Sequence, residues 1–153
     1  MALGLVRLGM IQMRVVLDKS MNLTRATELI SSASVDKSGR RTQLICLPEC
    51  FNSPYGAKYF DTYAEPVPHG LTCKKIAEAA RKNKVWVLAG SIPERGDDGK
   101  IYNTSVTFDS EGNCVGTFRK LHLFDIDVPG KESSLKFNLL VDLIHINAHF
   151  ILS

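Results

Sequence analysis

Three short apolar runs, Leu5 to Gln12, Thr42 to Leu47 and Val85 to Ala89, are separated by two segments whose apolar residues recur at helical intervals. That order leaves few folds open. The first helical segment, Met21 to Ser34, follows Asp18 and Ser20, either of which can cap it. The second, Leu71 to Asn83, sets Ile76, Ala77, Ala79 and Ala80 on one side with lysines and arginines opposite. After the third run, Arg95 to Lys100 holds the turn signal Gly-Asp-Asp-Gly, and Ile101 to Phe108 alternates as a strand. A second turn, Asp109 to Asn113, leads into Cys114 to Lys120, the last of the hairpin-linked strands. Strand, helix, strand, helix and then consecutive strands predict a mixed α/β sheet with its helices on one face.

A chain of 153 residues, 44% of them hydrophobic, can bury a core. The net charge of +3 comes from scattered residues such as Arg40, Arg41, Lys74, Lys75, Arg81 and Lys82, which read as solvated helix faces and not as a nucleic-acid surface. Cys46, Cys50, Cys73 and Cys114 have neither the paired spacing of a zinc site nor the density of a disulfide scaffold. With no signal peptide before Val6 to Met13, a reducing, cytoplasmic setting is expected, with a mitochondrial one in addition to it. The apolar stretch Leu135 to Leu152 is interrupted by Lys136, Asn138, Asp142, His145, Asn147 and His149, so a membrane span is not expected.

The candidate chemistry lies at the ends of predicted strands. Glu49 follows Leu47-Pro48 and precedes a loop rich in Asn52, Ser53, Pro54 and Gly56, just past a strand's carboxyl end, where open α/β sheets place their sites. Held rigidly and partly desolvated there, its carboxylate would move toward general-base range. Taken alone, a loop glutamate is also an ordinary solvated charge or cap. Lys120, beside Arg119, has the same two readings, as surface cation or as stabiliser of a developing negative charge. His122 is a proton shuttle or a structural hydrogen-bonder. Cys50 adjoins Glu49 and invites a nucleophile reading, but neighbours on an extended segment point to opposite sides. Cys46 and Cys114 read as buried packing residues in strands, and Cys73 shows no sign of activation. A phosphate loop at Gly96 to Lys100 fails, because a strand follows Lys100 and no Ser or Thr succeeds it.

The strings LPECFNSPYGAKYF, GSIPE, IYNTSV and FRKLHLFDIDVPGK, spread over most of residues 5 to 131, resemble the nitrilase superfamily, in particular its omega-amidase branch. The resemblance implies an α/β fold that is part of a four-layer α-β-β-α sandwich, commonly paired into a homodimer. It also implies hydrolysis of non-peptide carbon-nitrogen bonds, here the terminal amides of 2-oxoglutaramate and 2-oxosuccinamate. Small-molecule amides are then the partners, and no metal or organic cofactor is required. From the family's Glu-Lys-Cys triad it implies Glu49 as general base and Lys120 as stabiliser of the tetrahedral intermediate.

After Lys131 the sequence leaves the pattern, and the Gly-x-x-Cys-Tyr-Asp segment that brings the nucleophile does not occur. Residues 1–131 are therefore expected to be the amino-terminal part of a carbon-nitrogen hydrolase domain and 132–153 a divergent tail. The expected reading is a shortened, inactive form. A non-catalytic protein that binds a full-length relative is the alternative. A tail whose apolar residues from Leu135 to Leu152 alternate mainly at period two reads as a strand or hairpin as well as it reads as a helix.

Overall fold

The computed structural model describes residues 6–121, and the expectations placed on His122, Lys131 and the tail lie outside them. Strand β1 (Leu8–Met10) is followed by helix α1 (Lys19–Ala33), β2 (Leu44–Cys46), the short α2 (Ala57–Tyr63), α3 (Leu71–Asn83), β3 (Trp86–Leu88), β4 (Ile92–Arg95), β5 (Ile101–Phe108) and β6 (Cys114–Arg119). Strands β1, β2 and β3 are parallel, and β5 is antiparallel to β3, β4 and β6. This is the mixed sheet that the sequence order predicts.

Local chemistry fixes the helices. Asp18 caps α1 by accepting from the Met21 N–H at 3.0 Å, which settles the choice between Asp18 and Ser20. Helix α3 ends on Lys84 in the left-handed conformation, with Arg81 and Lys82 in its last turn, where cations favour the helix's negative end. Leu23, Ala26 and Ile30 of α1 and Cys73, Ile76, Ala79 and Ala80 of α3 bury against Ile45, Val87, Val106 and Phe108 of the sheet. Cross-strand register puts Gly9, Ile45, Val87 and Phe108 in one row on that helix-covered face.

The neighbouring rows, Leu8-Leu44-Trp86 and Met10-Cys46-Leu88-Thr107, point to the opposite face by the two-residue period of strands. Leu8 is 57% and Met10 84% exposed, so this second face shows apolar surface. Among the described residues, no helix is long and apolar enough to cross a membrane.

A buried polar latch ties the helices to the sheet. Glu65 accepts from Lys19 Nζ at 2.5 Å and from the Thr72 N–H and hydroxyl at 2.7 Å each, while its backbone pairs with Pro93 and Arg95. Burial alone would raise the Glu65 carboxyl, but the bonds from Lys19 and Thr72 outweigh it and hold the group below the usual carboxylate range.

Candidate active site

Glu49 stands three residues beyond the end of β2, and the chain around it is pinned on both sides. The Leu47 N–H donates to the Leu88 carbonyl at 3.0 Å, and the Cys50 N–H donates to Ser91 Oγ at 3.3 Å. Between these bonds the backbone of Gly90 (φ +44°) approaches so closely that a Cβ there would sit 2.1 Å from the Pro48 oxygen and 2.5 Å from the Leu47 oxygen. Only glycine fits, both for its positive φ and for the contact. Gly90 thus sets the height at which Glu49 leaves the sheet.

Lys120 arrives from the other side, directly after β6. Its backbone N–H donates to the Asn103 carbonyl on β5 at 2.8 Å, extending the β6 ladder by one residue. The preceding residue is clamped more firmly. Arg119 makes two bonds to Glu94, at 3.0 and 2.6 Å, and its guanidinium lies 3.8 Å from the centre of the Tyr102 ring. Glu94 also accepts from the Thr104 hydroxyl. The Arg119 bonds, assisted by Thr104 and opposed by burial, hold the Glu94 carboxyl below its ordinary range.

These two supports bring the carboxylate and the ammonium together. Lys120 Nζ lies 2.7 Å from Glu49 Oε1, with the lysine side chain 12% and the glutamate side chain 25% exposed. The Asn103 amide donates to the same Oε1 at 2.7 Å. An anion and a cation in contact at the carboxyl end of the parallel strands can relay a proton and counter a developing negative charge. Asn103, Gly90 and Ser91 were missed as individual site residues. The strings IYNTSV and GSIPE contain them, but nothing in one sequence shows which side chain of a strand meets a loop 54 positions away.

The cysteines divide differently from expectation. Residues 49–52 form turns instead of an extended segment, and Cys50 has φ +49°. The thiol is still withdrawn, because Cys50 is only 2% exposed, and burial, with the Glu49 carboxylate beside it, pushes it up to about 12. Cys73 is buried in the helix layer and burial likewise pushes its thiol up to about 12. Cys46 is half-buried, and Cys114 is exposed instead of buried, because it begins β6, which pairs only with β5 among the described residues. Burial raises all four thiols, so none is activated toward a thiolate by its surroundings. Among the described residues, no group of His, Cys, Asp or Glu is arranged to hold a metal ion.

Residues 7–140 match the carbon-nitrogen hydrolase family. The chain belongs to that family. Over 125 residues it is 54% identical to the omega-amidase NIT2 of Bos taurus and 47% identical to that of Homo sapiens, in each case covering 82% of this chain and 43% of the relative. It therefore spans less than half the length of these curated relatives. Among solved structures it superposes on Nit3 of Saccharomyces cerevisiae, a member of branch 10 of the nitrilase superfamily. The TM-score is 0.70 and the identity 35%, over 78% of this chain and 45% of that one. An N-terminal amidase bound to an Asn-Glu-Ala peptide shares the fold with a TM-score of 0.70 at 18% identity, covering 78% of this chain and 29% of that one.

Proposed function

We infer that this chain supplies the glutamate and lysine of an omega-amidase-type site, acting on the terminal amide of small 2-oxo acid monoamides such as 2-oxoglutaramate and 2-oxosuccinamate. The observation that supports this reading is the 2.7 Å contact between Lys120 Nζ and Glu49 Oε1 at the carboxyl end of the parallel strands. Glu49 takes the proton from an attacking thiol, which adds to the amide carbonyl. The Lys120 ammonium faces the oxyanion of the tetrahedral adduct. Collapse of the adduct breaks the carbon-nitrogen bond, and the protonated Glu49 gives its proton to the departing ammonia, leaving a thioester. Glu49 then takes a proton from water as the water oxygen adds to the thioester carbonyl, and returns it to the sulfur as the carbon-sulfur bond breaks, which releases the acid and restores the thiol.

The thiol has to come from outside the four cysteines described above. With free cysteines throughout and a thiolate in the reaction, the reading places the protein in a reducing compartment. The test is a hybrid in which this chain, through Lys131, is joined to the carboxyl-terminal portion of the bovine omega-amidase NIT2. Ammonia release from 2-oxoglutaramate is expected in the hybrid and not in the 153-residue chain. Glu49→Gln should lower the hybrid's rate by roughly 10²–10⁴-fold, the usual worth of general acid-base catalysis. A hybrid that folds, binds the 2-oxo acid and releases no ammonia would contradict the assignment.

A further inference from the structure

Asn103 touches both halves of the site. Its side-chain amide donates to Glu49 Oε1, and its backbone carbonyl accepts from Lys120 N–H at 2.8 Å. Lys120 Nζ donates to the same Oε1. Two donors therefore converge on one carboxylate oxygen, and no donor among the described residues bonds to the other. The Asn103 residue is 8% exposed, and its Oδ1 is buried without a hydrogen-bond partner.

An unpaired buried acceptor is disfavoured, and one kept in a strand needs a reason. Turning the amide over would not relieve it, because Oδ1 would then face Glu49 Oε1, acceptor against acceptor. The arrangement makes sense when the amide N–H at Glu49 is what the residue is for. We propose that Asn103 is a positioning residue, which with Lys120 fixes Glu49 by its Oε1 and so leaves Oε2 as the oxygen that exchanges the proton with thiol, ammonia and water. The role of Oε2 rests on the amidase reading above, whereas the positioning of the carboxylate does not.

The test is NMR of the ¹⁵N-labelled 153-residue chain, following the Asn103 side-chain amide and the Lys120 ammonium protons, together with the thermal midpoint. In Glu49→Ala the Asn103 amide should move to the position of a free amide. In Asn103→Leu, which removes donor and orphan acceptor together, the Lys120 ammonium signal should be lost to solvent exchange while the midpoint stays where it was. A residue that served only the fold would do the reverse, lowering the midpoint and leaving the Lys120 signal in place. That result overturns the proposal, as does an Asn103 amide that does not move in Glu49→Ala. Should Asn103→Leu fail to fold, Asn103→Ser takes its place with the same two readouts, and the Glu49→Ala comparison stands by itself. An inactive hybrid beside an intact Asn103 signature would count against the amidase reading and the use of Oε2, and in favour of positioning.

Discussion

Replacing Gly90 by alanine should damage the site through the backbone alone. A residue with a side chain at φ +44° pays about 1–2 kcal/mol for the left-handed conformation. The added Cβ also meets the Pro48 and Leu47 oxygens at 2.1 and 2.5 Å, well inside contact distance and on backbone that cannot rotate away. Relief requires parting the two segments, which breaks the Leu47 to Leu88 and Cys50 to Ser91 bonds. At roughly 0.5–1.5 kcal/mol for each bond the total comes to about 2–5 kcal/mol. Gly99→Ala is the internal control, since Gly99 has φ +78° with nothing within 4 Å of its Cβ position and should show the conformational cost alone. Urea unfolding at low protein concentration, followed by the fluorescence of Trp86, the single tryptophan, measures both. Equal destabilisation in the two variants would refute the argument that close approach at Gly90 sets the position of Glu49.

Three further outcomes are expected. Stability supported by Glu65 should be present above the carboxyl's unfolded value, about 4.3, and be lost as pH falls through its lowered folded value. Thr72→Val should flatten that acid limb in pH-dependent unfolding. Self-association at micromolar concentration, driven by the exposed Leu8 and Met10 of the second sheet face, should weaken in Leu8→Lys with Met10→Lys when followed by sedimentation velocity. Cys50→Ala should leave the hybrid's ammonia release unchanged within a factor of about two, because a buried thiol raised to about 12 contributes no thiolate; a large loss would reassign Cys50.

The sequence was most legible where local chemistry decides. Helix α3 runs from Leu71 to Asn83 as its amphipathic spacing predicts, and β5 from Ile101 to Phe108 between two polar turns. Helix α2 has no clear sequence signal because it is seven residues long and its N-cap is Gly56, with φ +150° and no side chain to cap it. Strand β4 was hidden by Pro93, which has no N–H to give and normally argues against a strand interior. Of the candidate site, Glu49 and Lys120 are singled out by the motifs around them. Their contact, the shared Oε1 and the part played by Asn103 and Gly90 depend on strand register, which a single sequence does not display.

A double-mutant cycle in the hybrid enzyme asks whether Glu49 and Lys120 work as one pair. Glu49→Gln, Lys120→Met and the combination are compared by kcat/KM for 2-oxoglutaramate. Two groups that share one oxygen contact and act on one transition state should be strongly non-additive, the double variant losing little more than the worse single one. Losses that multiply, as for independent sites, would show that the Glu49 and Lys120 contact is a feature of the fold and not the working pair of an amidase.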